Sequence, residues 1–185
     1  MADGVWVSDV LHFWFVELRE EQWWTSDTAL DDTMRERFLS VHMLVAATLP
    51  DALAVTAERA LAAIIVLDQF SRNMFRGTAG AFAHDAQARA ITERAVTQGF
   101  DRTLTPAQRQ FLYMPMMHAE DRSIHERSLA LFTALGHEKN LKAAIEHKAI
   151  IDRFGRYPHR NAVLGRASTA DERAYLAGDA KRFGQ

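Results

Sequence analysis

The chain has 185 residues, 48% of them hydrophobic and 25% charged, with a formal net charge of −2 at pH 7. A globular protein of this length buries a substantial core and needs no disulfide or metal ion to stabilise it. The lack of cysteine excludes disulfides, iron–sulfur clusters, cysteine zinc sites and thiol nucleophiles. No apolar run approaches the roughly 20 residues that span a bilayer and the first nine positions hold no basic residue, so we expect a cytoplasmic protein with no membrane partner.

The first part of the chain predicts three helices. Apolar residues at helical spacing indicate a helix over 8–18. Asp27 offers an N-cap for a second helix over 27–47. The third, over 56–70, is apolar on nearly all sides, so we expect it at the centre of the fold.

The rest of the chain predicts further helices. Three of them span 79–98, 121–135 and 140–154, and each is followed by a glycine that can close a helix in the left-handed conformation. No segment has a convincing strand pattern. The sequence therefore predicts an all-α protein with no sheet. We expect a single helical domain over 1–185 with about eight helices. Antiparallel pairs of these helices would form a bundle or a helical-repeat layer.

Capping motifs mark the start of two helices. Thr105 and Gln108 flank Pro106 in the pattern of a capping box, and Thr169 begins a second box before the last short helix. Pro115 lacks a backbone donor and its ring clashes with the preceding turn. We therefore expect the helix that begins at Thr105 to kink or stop near Met114.

All four tryptophans lie within the first 24 positions: Trp6, Trp14, Trp23 and Trp24. Aromatic residues at helical spacing are usually buried, so we expect them in the core. The alternative is that they form the wall of an aromatic pocket.

Charge is unevenly distributed along the chain. Residues 1–71 hold twelve acidic residues against four arginines, whereas residues 139–166 hold seven basic residues against two acidic ones. The basic stretch predicts a positive field that attracts small anions or an acidic surface. The alternative is that the two stretches pack together and neutralise each other. At this net charge nothing favours nucleic acid as a partner.

Several ordered motifs carry a family resemblance. They are residues 11–15 (LHFWF), the Trp23–Trp24 pair, 67–73 (LDQFSRN), 111–115 (FLYMP) with His118 and Glu120, 154–161 (FGRYPHRN) and 164–166 (LGR). Together they resemble the bacterial family known as domain of unknown function 924, over nearly the whole chain. The resemblance implies a tetratricopeptide-like helical fold and implies no activity. The chain departs from the family pattern at His12, Ser71, Ala119 and His125, where the family commonly has Asp, Pro, Ser and Gln.

The apolar helix over 56–70 ends in a first polar cluster. It consists of Asp68, Gln69, Arg72, Asn73 and Arg76, and we interpret it as a ligand-binding set in which two planar guanidinium groups hold a carboxylate or phosphate. The alternative is an ion-pair network in which Asp68 or Asp85 holds an arginine.

A second polar cluster follows the helix over 140–154. Pro158 favours an extended conformation at the preceding residue, so this loop cannot continue the helix. Its side chains are further candidates for binding an anion: Arg156, Arg160, Asn161 and Arg166. The alternative is that they satisfy the open carbonyls at the end of the preceding helix.

Three residues are candidate acid/base groups: His118, Glu120 and His159. His118, Asp121 and His125 would share one face of a continuous helix, but Pro115 interrupts that helix and no HExxH pattern occurs. The common nucleotide, hydrolase and calcium-loop motifs are also missing. We therefore predict no metal and no cofactor.

Two functional hypotheses follow. In the first, the protein binds or acts on a small anionic molecule, a carboxylate or a phosphate, through the Arg/His/Asn clusters. In the second, it is a tetratricopeptide-like interaction scaffold that holds a peptide or protein partner on a concave surface and has no catalytic activity. A deep pocket ringed by arginine and histidine favours the first; an open groove with those groups paired off favours the second.

Overall fold

The computed structural model describes residues 4–178 and 180, and this part of the chain contains helices and no strand. The all-α prediction is confirmed. The helices are α1 Val5–His12, α2 Thr28–Ala46, α3 Pro50–Leu53, α4 Ala57–Ile64, α5 Ser71–Met74, α6 Asp85–Thr97, α7 Pro106–Met117, α8 Arg122–Leu135, α9 Glu138–Phe154 and α10 Ala170–Ala177. Short 3₁₀ turns lie at Glu20–Trp23, Ala79–Phe82, Phe100–Thr103 and Pro158–Arg160. None of the described helices is long and apolar enough to cross a membrane.

Two helices continue as π-helical turns. One turn, Phe13–Glu17, extends α1, and the other, Ile65–Phe70, joins α4 to α5. The helical run predicted over 56–70 therefore continues to Met74, and it contains all of the first polar cluster except Arg76. Such π turns inside α-helices frequently mark functional sites.

The residues predicted to cap the helices do so in the structure. The carboxylate of Asp27 accepts from two backbone N–H groups at the start of α2. The capping boxes at Thr105 and Thr169 are both formed. The glycine that follows α8, Gly136, has a φ of 73°, in the left-handed region that glycine tolerates without steric cost.

Of the two outcomes expected near Met114, a kink or a stop, the stop does not occur there. The helix includes Pro115 and ends at Met117, where the N–H of His118 donates to the carbonyl of Met114 at 3.0 Å. Pro115 withholds a donor only from the carbonyl of Phe111, and the N–H groups that follow complete the last turn.

The predicted central helix is confirmed at α4, whose residues from Ala60 to Ile64 are fully buried. It packs against α1, α6 and α7, and the π turn that follows it packs against α2, α6 and α7. In turn α7 packs on α8, and α8 packs on α9. This arrangement brings the polar end of the α4–α5 run beside the C-terminal end of α7.

The tryptophans divide into two pairs. Trp6 and Trp14 are buried in the core as predicted, and the Trp14 ring meets Phe111 edge to face at 5.3 Å. Trp24 is half exposed, and both Trp23 and Trp24 line a cavity. The pocket-wall alternative therefore holds for the second pair.

Candidate functional site

The site is centred on Asp68, whose side chain is fully buried in the π turn before α5. It accepts hydrogen bonds from His118 Nδ1 at 2.7 Å and from Gln69 Nε2, and Arg72 Nη1 lies 2.9 Å from the same carboxylate. Burial raises the pKa of Asp68, but the charge of Arg72 and the contact with His118 outweigh it and hold the pKa well below its usual range. Asp68 is therefore ionised at neutral pH and acts as an acceptor.

His118 is the C-cap of α7, and its ring faces Asp68. Burial lowers the pKa of His118, and Asp68 opposes that shift without cancelling it. The imidazole is therefore neutral at pH 7. Because an ionised carboxylate can only accept, the ring proton sits on Nδ1, and Nε2 on the opposite edge of the ring carries the lone pair.

A chain of ion pairs leads away from Asp68. The guanidinium of Arg72 also donates to both oxygens of Asp85, at 3.0 and 3.1 Å. Arg160 Nη1 donates to Asp85 Oδ2 and to the carbonyl of His118, each at 3.1 Å. Both Asp68 and Asp85 thus hold Arg72, as the ion-pair interpretation of the first cluster requires. These ion pairs connect α5 and α6 to the loop after α9.

The cavity beside His118 has a volume of about 420 Å³, within the range of roughly 300–1,000 Å³ typical of small-molecule sites. It is lined by Trp23, Trp24, Thr25, Gln69, Arg72, Asn73, Arg76, Met114, Met117, His118, Phe132, Asn140, Ala143 and His147. Aromatic and methionine side chains form one part of the wall, and donor groups form the other. Among these described lining residues there are two guanidinium groups and no carboxylate.

The carboxylates that pair with these arginines do not line the cavity. Asp31, on α2, accepts from Arg76 Nε and Nη2 at 2.7 and 3.0 Å and from Asn73 Nδ2 at 2.7 Å. Asp68 holds Arg72 and His118 in the same way. Each of the two arginines that line the cavity is therefore held by a buried acidic residue that does not line it. Asp31 was not identified from the sequence, because it lies in the first turn of a different helix.

The second polar cluster forms a separate network outside this cavity. Arg166 holds Glu120, which also accepts from the backbone N–H of Tyr157 at 2.8 Å, and Arg156 Nε donates to Glu172 at 2.6 Å. Burial raises the pKa of Glu120, but Arg166 and that N–H outweigh it and hold the pKa below its usual value. Glu120 is thus an ionised acceptor at neutral pH.

The structure therefore divides the candidate residues between several places. Five of the candidates line the cavity: Gln69, Arg72, Asn73, Arg76 and His118. Asp68 does not line it but bonds His118. Four others belong to the second network: Glu120, Arg156, Asn161 and Arg166. Arg160 joins the two through Asp85 and lines, with Glu120, a separate cavity of about 380 Å³ on which His118 also borders. His159 lies at a small void of about 50 Å³ shared with Arg72 and Arg76. No single cavity gathers all the candidate residues among those described, and their role as a ligand site stays a prediction.

Several lining residues had no role in the sequence-based site. Asn140 and His147 come from α9 and, with Ala143 between them, follow the spacing of one helical face. His147 Nδ1 donates to the carbonyl of Ala143 at 2.8 Å, and burial lowers the pKa of this histidine well below its usual value. That spacing is the signal that identifies them, but the face opposite α9 is not evident from the sequence.

The three residues considered for a metal site, His118, Asp121 and His125, have different partners. His118 faces Asp68, Asp121 caps the first turn of α8, and His125 Nε2 bonds the carbonyl of Ala119 at 2.8 Å. Within residues 4–178 and 180, no three His, Asp or Glu side chains are grouped so that they could hold a metal ion.

The protein is therefore an all-α protein with a buried aspartate–histidine pair beside a cavity that opens to the surface. The chain matches the family model "Bacterial protein of unknown function (DUF924)" over residues 10–179, and it belongs to that family. It is also similar to the solved structure of a protein of unknown function, ATU0120, from Agrobacterium tumefaciens. The two chains are 39% identical with a TM-score of 0.86, over 92% of this chain and 96% of the other. No curated protein matches the chain. The resemblance to this family is confirmed.

Proposed function

We propose that the protein binds a small organic anion with an apolar body in the cavity beside His118. The observation that carries the proposal is the composition of the lining: Arg72 and Arg76 face the cavity, and among the described lining residues no carboxylate does. A planar guanidinium is well suited to a carboxylate or phosphate. The anionic group of the ligand is expected at this end of the cavity.

The acidic residues that pair with the arginines order their side chains. Asp31 and Asp68 hold the two guanidinium groups in place before a ligand arrives, so less side-chain entropy is lost on binding.

The other part of the wall predicts the body of the ligand. Trp24, Met114, Met117 and Phe132 present aromatic faces and flexible thioethers. Such groups bury an apolar body of variable shape. The preferred ligand is therefore an aromatic or aliphatic carboxylate, rather than a sugar or an inorganic ion.

Calorimetric titration and thermal shift with matched compounds test this proposal. Phenylacetate and phenylpyruvate should bind and raise Tm, whereas phenylacetamide, which has the same ring and no charge, should bind at least about tenfold more weakly. Equal binding of the acid and the amide would contradict an anion site.

Two arginines provide a matched pair of variants. Arg76 and Arg156 have the same side-chain exposure, 28%, and each donates through Nε to a carboxylate, at 2.7 and 2.6 Å. Only Arg76 lines the cavity. Arg76→Gln and Arg156→Gln should both lower stability, but only Arg76→Gln should abolish binding of phenylacetate.

The tetratricopeptide-like scaffold is the alternative. Binding of extended peptides by the wild-type chain, unaffected by Arg76→Gln and without competition from phenylacetate, would support that hypothesis instead.

A further inference from the structure

The structure contains four buried histidines in the described residues, and their partners differ. His42 bonds the hydroxyl of Ser71, whereas His125 and His147 bond backbone carbonyls. The His118 ring donates to the carboxylate of Asp68 and also lines the cavity. A carboxylate at Nδ1 fixes the tautomer and stabilises the imidazolium that forms when Nε2 takes a proton, which a neutral carbonyl does far less well.

We propose that His118, oriented by Asp68, is a general base that removes a carbon-bound proton from the anion in the cavity, so that the protein is an enzyme. The proposal rests on the binding function above and adds a reaction class to it. The substrate is a small carboxylate with a C–H group made acidic by a neighbouring carbonyl.

The step balances without a further reactant. His118 Nε2 forms a bond to the departing proton, the C–H bond breaks, and its electron pair moves onto the carbonyl oxygen to give an enolate. The imidazolium keeps its Nδ1–H bond to Asp68. Return of the proton to the substrate, at the same carbon or at the oxygen, regenerates neutral His118.

The cavity suits the charge that this step creates. Arg72, Asn73 and Arg76 are among the residues that line it, and the described lining includes no carboxylate to repel an enolate oxygen. Fixed donors aimed at a developing oxyanion commonly supply a large part of catalysis. Asp68 itself is fully buried behind His118, where it acts on the base and not on the substrate.

Phenylpyruvate is the probe for this reaction, because it combines an aromatic body, a carboxylate and a C–H group beside a carbonyl. In D₂O the full chain should replace its methylene protons with deuterium faster than buffer does, as followed by ¹H NMR. His118→Gln should lower the catalysed rate at least about 100-fold, since a general base contributes roughly 10²- to 10⁴-fold. Arg156→Gln, outside the cavity, should keep the wild-type rate.

Asp68→Asn tests the positioning role. Arg72 retains Asp85 in this variant, so the fold is less disturbed than by a larger change. We expect kcat to fall with KM nearly unchanged, and the acid limb of the pH profile to move to lower pH, because Asp68 raises the pKa of His118. A purely structural role would lower the folded fraction without moving the profile.

A modification of the wild-type protein covers the case in which His118→Gln does not fold. Diethylpyrocarbonate reacts with neutral imidazole, and mass spectrometry maps the adduct. Modification at His118 should abolish exchange, and phenylpyruvate should protect this residue.

The outcomes separate the two proposals. Calorimetric binding of phenylpyruvate without exchange above buffer would overturn the catalytic inference and leave the binding function in place. No binding of the probe would overturn the binding function and the catalytic inference together. Exchange that persists in folded His118→Gln would also overturn the assignment of the base.

Discussion

Asp68 Oδ1 and His118 Nδ1 lie 2.7 Å apart although 50 residues separate them in the chain. The aspartate comes from a π turn in the central helical run, and the histidine closes α7. This contact joins the ion-pair chain through Arg72 and Asp85 to the wall of the cavity. Predictions about stability and about binding therefore start from it.

Truncation of Asp68 should strongly destabilise the fold. Asp68→Ala leaves His118 and Gln69 without their acceptor and deprives Arg72 of one of its two carboxylates. We expect the free energy of unfolding to fall by about 3 to 5 kcal/mol, as measured by urea denaturation. Asp32→Ala, at an exposed ion pair with Arg35, should cost no more than about 1 kcal/mol. Similar losses in both variants would refute the central role of Asp68.

Stability should decline as pH falls below 6.5. Burial, and then repulsion from His84, lowers the pKa of His42 from 6.5 to about 4. Because the folded state resists protonation, this contribution is complete above the unfolded pKa and is lost as pH falls from 6.5 toward 4. The change for His42 is on the order of 3 kcal/mol.

The free energy of unfolding measured at several pH values checks this prediction. His42→Gln removes one titrating group and should make the curve less steep between pH 6.5 and 4, where His118, His125 and His147, whose pKa burial also lowers, still contribute. His12→Gln, at an exposed side chain, should leave the slope unchanged. A slope that His42→Gln does not reduce would assign the acid sensitivity to other groups.

The two tryptophan pairs should respond differently to truncation. Trp24 is 50% exposed and lines the cavity, so Trp24→Ala should weaken phenylacetate binding about tenfold and cost about 1 kcal/mol of stability or less. Trp14 is 1% exposed and packs against Phe111, so Trp14→Ala should cost about 3 to 5 kcal/mol. Calorimetry and urea denaturation distinguish the two effects, and unchanged binding in Trp24→Ala would place the ligand elsewhere.

The second network should matter for stability and not for binding. Glu172 accepts from Arg156, from Asn161 and from the backbone N–H of Thr169. Glu172→Ala should lower the free energy of unfolding by about 2 to 4 kcal/mol, because it leaves these donors unmatched. The affinity for phenylacetate at a temperature where the variant is folded should be unchanged. A loss of affinity would mean that the loop after α9 belongs to the binding site.

Local signals account for the parts of the fold that were predicted well. The caps at Asp27, Thr105 and Thr169 act within three residues of themselves, so the chain around them is enough to set where those helices begin. Pro115 did not stop its helix, because it removes only one backbone donor. The next residues still complete the last turn of α7, which ends only at Met117.

The sequence predicted which residues belong to candidate sites but not which of them lie together. Asp68, Arg72 and His118 were named from the sequence, and they do meet. Arg156, Asn161 and Arg166 were named with them but lie in the second network. Residue type and spacing reveal which side chains need partners, but several carboxylates can meet that need.

The helical class, most helix ends, the central position of α4 and the family were all predictable from the sequence, because each depends on local spacing or on ordered motifs. The packing of the helices was needed to pair Asp68 with His118 and Asp31 with Arg76, and to bring Trp24 and α9 to one cavity. These contacts join residues that are far apart in the chain. Contacts between residues tens of positions apart depend on how helices pack, and no periodicity within one helix specifies the helix it will face.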